Sequence, residues 1–423
     1  MPAIFEKINR NHITLAVNIL VALFFVTVLT FNKGYSYAPM ILGISAMIYL
    51  FIYLFGFKKK LSPSQHDKQL IFAFITYFAT FVVSTVVHSD GFRVIDNPSR
   101  VLLFLPLILL FVHFPLRLNM ILHAIPAGAA TVGLLAIYQK FYLGLAKPFP
   151  DTMHIQAGNI SIALAAFSLV IALYWGIKKE FKFTLLCLLG ALFGVLASAL
   201  SGARGGWVGL PFVVATILFF YRQNLSKRFI LLVVGIFATF ITLLVINPKT
   251  EVIQRYYVAK SDLTLYFEKG HKNTSLGARF DMWENAILGI QEKPILGWGS
   301  KGYQELKHAQ VQNKTMAQST LSFNDTHNQY LESWVKRGIV GLIGLLLILF
   351  VPLRYFFKRV SSDNLELKCI AVLGITHILS TMFYFLSQTF LAHNSGSIFY
   401  FFVLIVFYCL MKTQEKAISL KNP

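Results

Sequence analysis

Twelve apolar runs, most of them near the roughly 20 residues a helix needs to cross a hydrocarbon core, divide this 423-residue chain. No other feature restricts its fold so strongly. In lipid every backbone N–H and C=O must find a partner within the protein, which leaves helices or closed barrels. Runs of this length select helices and an all-α, polytopic membrane fold. They cover about 13–31, 37–57, 69–88, 100–114, 119–139, 155–175, 182–200, 205–221, 229–246, 338–357, 369–391 and 396–411. The run at 100–114 is short and is expected to tilt or to be partly covered by protein. Only 13% of residues are charged, against about 25% in soluble domains. The first run follows Lys7 and Arg10 but lacks a clear small-residue cleavage site, so it reads as a retained helix rather than a signal peptide.

A net charge of +20 invites a nucleic-acid partner, but position argues against one. The basic residues sit in short clusters between apolar runs instead of along one surface. Alternate short loops and the termini hold 20 Lys and Arg, and the intervening short loops hold 6. This bias places both termini in the cytoplasm, and an even number of spans agrees with it. The chain therefore divides into nine helices over 1–246, a large non-cytoplasmic loop over 247–337, and three helices with a cytoplasmic tail over 338–423.

The large loop carries 12 basic and 9 acidic residues and reads as structured. Phe280, Trp283, Ile287 and Ile290 recur at helical spacing over 276–291, and Pro294 with the glycines of PILGWGSKGY ends that helix. A second helix is expected to start at Asn324 or Asp325, both good N-caps, and to carry His327, Tyr330, Leu331 and Trp334 on one face. Apolar faces on these helices suit a roof over a cavity. The three cysteines, Cys187, Cys369 and Cys409, lie in or beside apolar runs, so no disulfide framework or cysteine metal motif is implied.

Three features on the outer side are candidates for chemistry. In SGARGGWVGL (201–210), Arg204 stands among four glycines. A glycine-rich turn with one arginine suits a phosphate; the alternative is a snorkelling arginine beside glycines that pack helices closely. Arg279 in SLGARFDMW offers a planar fork of donors, or else an ion pair near Asp281 on a solvated face. His327 in NDTHNQYLESW, placed in the first turn of a helix, would feel its positive end. That favours the neutral imidazole a general base requires; the alternative is an ordinary surface histidine. His88, His154, His271 and His393 reach the same side, yet none forms a helical metal-binding pair, so no metal is expected.

At these residues the chain resembles the O-antigen ligase family, which includes lipopolysaccharide O-antigen ligases, O-antigen polymerases and protein O-oligosaccharyltransferases. The likeness is architectural over the whole chain and sharpest over about 185–350. There the arginine in a glycine-containing turn, SLGARFDMW, the PILGWG turn and the HNQYLE stretch follow the family's order. The resemblance implies a GT-C-like glycosyltransferase of the bacterial inner membrane with a periplasmic active site. It would take a glycan from undecaprenyl diphosphate and transfer it to a sugar hydroxyl of the lipid A–core, with inversion and without metal or cofactor. Arg204 and Arg279 would hold the diphosphate, and His327 would be the general base. O-antigen polymerization or protein O-glycosylation would use the same parts. A flippase or transporter of lipid-linked sugar is the reading from another class. Its site would lie near the bilayer midplane, whereas the candidate residues gather at the outer edge.

Overall fold

The computed structural model describes residues 2–203 and 205–420, which form sixteen α-helices. The first ten are α1 (Pro2–Thr27), α2 (Gly34–Phe51), α3 (Gln65–Val87), α4 (Arg93–Phe104), α5 (Leu107–His113), α6 (Leu118–Ile137), α7 (His154–Ile177), α8 (Phe181–Ser201), α9 (Gly205–Tyr221) and α10 (Lys227–Ile246). The outer segment follows with α11 (Val252–Lys269), α12 (Ser275–Glu292) and α13 (Gly299–Gln312). The chain closes with α14 (Gln329–Phe357), α15 (Leu365–Phe385) and α16 (Asn394–Ser419). Among the described residues, eleven helical segments are long and apolar enough to cross a membrane, with α4 and α5 counted together and α9 a shorter twelfth. The protein is a polytopic, all-helical membrane protein.

Two helices form the centre. The apolar windows of α7 and α16 are 89% and 94% buried, whereas that of α10 is 11% buried, so α10 presents nearly its whole girth to lipid. Close approach around α7 and α8 depends on small residues, as expected where lipid supplies no hydrophobic drive between helices. A Cβ at Gly194 would lie 2.9 Å from the Ser161 carbonyl oxygen, and one at Gly190 would lie 2.7 Å from that of Pro126. The short run at 100–114 belongs to a longer helix that begins at Arg93 and breaks at Leu105 and Pro106. One side of its added turns is tied to the chain before α16. Asn97 Nδ2 donates to the Leu391 carbonyl at 2.7 Å, and Arg100 bonds both Asn97 and Asn394.

The outer segment has its own small core, in which Ala286, Ile290, Tyr303, Leu306 and Val335 are buried beside Trp298 and Trp334. The face that α12 buries is rotated from the expected one: Ile290 is buried and Phe280 and Trp283 are half-buried. It runs through Ala278, Asp281, Met282, Asn285 and Ala286, while Ile287 is 46% exposed. The cause is a buried charge that finds partners: Asp281 pairs with the Lys272 ammonium at 2.6 Å and accepts the Ala317 N–H at 2.9 Å. Sequence periodicity also passed over α11 and α13 entirely.

The segment is fastened to the membrane helices where α14 breaks. Gly338 adopts φ 64° and ψ −166°, and a Cβ there would lie 1.9 Å from the Ile295 carbonyl oxygen. The freed backbone groups are taken up by the PILGWG turn: Ile339 N–H donates to Pro294 at 2.8 Å, and Trp298 N–H donates to Val335 at 2.9 Å. From the turn that follows α3, Asp90 accepts the Ser300 and Lys301 N–H groups at 2.7 and 2.9 Å. These groups lie in the first turn of α13.

Gly338→Ala should therefore lower stability by about 1–3 kcal/mol or more, read as a lower midpoint of thermal aggregation in detergent; an unchanged midpoint would remove the fastening role. Lys307, buried in the outer segment, gives a pH-dependent signature. Burial, reinforced by the Lys336 charge, pushes its ammonium down to about 8. Between that value and the ordinary lysine range the unfolded chain binds the proton and the folded chain has released it, so stability rises with pH across the window. Thermal melts near pH 7.5 and about 10 should show this rise in the native chain and a smaller one in Lys307→Met.

Candidate active site

A cavity of about 550 Å³ opens where the α8–α9 turn, the α6–α7 connection, the start of α12 and the turn before α14 converge. Arg279 and His327 both line it. Arg204 lies outside the described residues; its neighbours Ala203 and Gly205 line the same cavity. The three candidates thus come from segments that the fold gathers around one space.

The α8–α9 turn owes its shape to glycine. Gly202 caps α8 in the left-handed region at φ 75°, where a side chain is strained. It is also crowded, since a Cβ there would lie 2.8 Å from the Arg255 guanidinium carbon. A Cβ at Gly205 would meet Ser387 Oγ at 2.2 Å, and one at Gly206 would meet Asn159 Oδ1 at 2.9 Å. The glycines therefore allow helices to close around the turn and bring the backbone beside the cavity. The two sequence readings of this motif, packing and ligand approach, are compatible.

Arg279 lies in the second turn of α12. That helix starts at Thr274, whose Oγ1 accepts the Gly277 N–H at 3.0 Å. Two further cations line the cavity that sequence reasoning missed, Lys147 and Arg255. Lys147 Nζ sits 3.3 Å from His154 Nε2. Arg255 donates to the Gly202 carbonyl at 3.2 Å and pairs with Glu251 at 2.7 Å. Neither residue stands in a motif; both arrive by tertiary closure. Among the described lining residues there is no carboxylate. Two acids touch this set from its flanks, Glu251 against Arg255 and Asp325 against His327. A concave site with charge of one sign focuses the field on an anion.

His327 corrects the expected helix start. The helix begins at Gln329, and its N-cap is Asn328, whose side chain accepts the Tyr330 and Leu331 N–H groups at 3.0 and 3.2 Å. Asn324 and Asp325 lie before it. His327 is not in the first helical turn and adopts φ 50°, so the helix-end argument for its neutrality does not apply. It is held instead by side chains. Asp325 Oδ1 accepts the His327 backbone N–H at 2.8 Å and stands 3.1 Å from Nδ1. Nδ1 is buried and makes no aligned hydrogen bond. Burial alone would raise the Asp325 carboxyl, but contact with His327 outweighs it and holds the group well below the usual carboxylate range. On the residue before it, Thr326 N–H donates to Glu332 at 2.9 Å, and Trp283 Nε1 donates to the Thr326 carbonyl at 2.9 Å. Trp283 belongs to α12, so the helix that carries Arg279 also steadies the turn that carries His327. The ring packs edge-on to Phe323 at 5.3 Å.

The site combines a cationic, acid-free lining, a histidine with a carboxylate behind one ring nitrogen, and an apolar groove beside it. That groove, of about 200 Å³, shares Gly202, Ala203 and Arg255 with the cavity and is otherwise walled by groups such as Trp207 and Val252. This arrangement fits an anion attached to something greasy. Comparison with known proteins agrees. The sequence profile described as O-antigen ligase matches residues 189–346, the stretch that supplies the α8–α9 turn, Arg255, Arg279 and His327. A Haemophilus influenzae (strain Rd) protein described as uncharacterized is 54% identical over 400 residues, spanning 95% of this chain and 99% of that protein. With its motifs, its helices and this matched stretch converging on one cavity, the chain carries the domain of the O-antigen ligase family over residues 189–346.

Proposed function

We propose that the protein is an O-antigen ligase. It takes a glycan from undecaprenyl diphosphate and moves it to a sugar hydroxyl of the lipid A–core, in a periplasmic site of the bacterial inner membrane with both termini cytoplasmic. The observation that carries this reading is the meeting of Arg279, Arg255, Lys147 and His327 around one cavity lined by no described carboxylate.

The chemistry follows from the charges. The acceptor hydroxyl oxygen attacks the anomeric carbon from the face opposite the diphosphate. The carbon–oxygen bond to the diphosphate breaks, and its electron pair leaves with the phosphate. One displacement inverts the centre. His327 takes the hydroxyl proton as the new bond forms, a role worth roughly 10²–10⁴ in rate. Asp325, beside Nδ1 at 3.1 Å, stabilises the imidazolium that results and leaves Nε2 for the acceptor. Arg279, together with Arg204, meets the charge that grows on the diphosphate. Charge-assisted hydrogen bonds contribute about 1.5–3 kcal/mol each, and more when aimed in a water-poor site. Arg255 supports the turn that carries Arg204 by bonding the Gly202 carbonyl.

The direct test is transfer in vitro with lipid-linked donor and purified lipid A–core. His327→Ala should lower turnover about 10²–10⁴-fold, and unchanged turnover would remove the base. Asp325→Asn should lower kcat while leaving the KM for donor near its original value; the reverse split would assign Asp325 to donor binding. Arg279→Lys keeps the charge and loses the fork, so kcat/KM should fall by about tenfold or more, the rate equivalent of one such bond. Activity should persist after exhaustive chelation, and loss restored by a divalent ion would overturn the metal-free mechanism. In cells, deletion should leave bare lipid A–core and accumulated lipid-linked polymer. Core bearing a single repeat unit would identify a polymerase, and unaltered lipopolysaccharide would direct attention to protein O-glycosylation. Movement of lipid-linked sugar across vesicles without any transfer would identify a flippase.

A further inference from the structure

Helix α11 has three faces of different chemistry. Val252, Arg255, Ala259, Asp262 and Tyr266 form the half-buried or buried inner face. On it Arg255 lines the cavity, and Asp262 accepts the Leu276 N–H at the start of α12 at 3.2 Å. Gln254, Ser261, Thr264 and Glu268 form an exposed and mostly polar face, on which Tyr257 is the one aromatic. Between them lies an exposed stripe of Tyr256, Lys260, Leu263 and Phe267, at i, i+4, i+7 and i+11, an arc of roughly 60° on a helix of 3.6 residues per turn. Tyr256 is 61% and Phe267 73% exposed. Apolar groups this open, in a row and with a lysine among them, are unusual on a water-facing helix.

We infer that this stripe seats α11 on the membrane surface, in the headgroup region of the leaflet on the cavity's side. Three observations choose lipid as the occupant. First, only residues 247–251 separate α11 from the end of the lipid-facing span α10, so α11 starts at the membrane boundary. Second, Tyr256 lies in the wall of the apolar groove together with Trp207 of α9, and the next turns of α9 expose Val208 and Phe212 at 62% and 61%. The stripe therefore continues a surface already committed to lipid. Third, its composition is that of an interfacial helix: aromatic and leucine side chains for the acyl boundary and a lysine whose ammonium reaches the phosphates. Seating the stripe also fixes the neighbouring Arg255 against the Gly202 carbonyl, so bilayer contact positions one wall of the cavity. The inference rests on the membrane fold and not on the transferase reading.

The test measures depth instead of activity. The native cysteines, Cys187, Cys369 and Cys409, are buried, so a cysteine introduced at an exposed site takes an environment-sensitive NBD label selectively. Full-length Tyr256→Cys, Phe267→Cys and, for the polar face, Ser261→Cys would be reconstituted in vesicles of phosphatidylethanolamine and phosphatidylglycerol. Labels at 256 and 267 should show blue-shifted, several-fold brighter emission that is quenched by lipids carrying a spin label near the headgroup. The label at 261 should resemble one in water. Equal, water-like and unquenched emission at all three positions would overturn the inference. Hydroxyl-radical footprinting of the unsubstituted chain in nanodiscs supplies a readout independent of labelling. Protection of Tyr256 and Phe267 supports membrane seating, and oxidation at the level of an exposed loop tyrosine refutes it.

Discussion

The contact on which the arrangement depends is backbone against backbone. The PILGWG turn lies in the break of α14 so closely that Gly338 and Gly297 have no room for a Cβ; one at Gly297 would sit 2.6 Å from the Gly338 nitrogen. Irregular backbone near a bilayer is tolerable only where protein satisfies its polar groups, and here Pro294 and Trp298 supply the partners. This one junction sets where the outer segment stands relative to the membrane helices. Arg279 and the anchors of His327 belong to that segment, whereas the α8–α9 turn belongs to the membrane body. The cavity exists because the junction holds the two together.

Much of this was legible in the sequence, and the limits have physical causes. The spans were readable because lipid imposes a length and a composition that few other pressures mimic. α12 was readable from its period, but its buried face was not. Asp281 is interior because Lys272 and the Ala317 amide lie elsewhere in the chain to meet it, and no local pattern announces such partners. α11 escaped notice because its apolar and aromatic residues are spread around the helix among polar and ionic ones, so that the stretch averages to a hydrophilic loop. Proline and glycine around 294–299 were read as the end of α12, which they are; that they also form the docking turn depends on Gly338 and Val335, which lie far along the chain.

The candidate site divides along the same line. Arg279 and His327 were recognisable because each lies in a distinctive local string, and the fold brings both to one cavity. Lys147 and Arg255 have no such string and were found only once the α6–α7 connection and α11 had closed over the α8–α9 turn. The environment of His327 was misjudged for a related reason. Placing it inside a helix assigned its electrostatics to the helix end, whereas the chain turns there through a left-handed residue. The charge facing its ring belongs to Asp325, two positions away. The correction leaves the proposed role of general base and changes its support: on the proposed reading a carboxylate, and not a helix end, faces the ring as it takes up a proton.

An acid-free lining has a cost that appears only after bond cleavage. On the proposed reading, the departing undecaprenyl diphosphate carries at least as much negative charge as the donor it came from, and the cations that favoured its formation continue to hold it. Among the described lining residues no carboxylate repels it. Such a site tends toward product inhibition, so the slow event in each cycle would be escape of the spent carrier into the bilayer. Steady turnover would then depend on enzymes elsewhere in the membrane that trim the diphosphate and keep its concentration low.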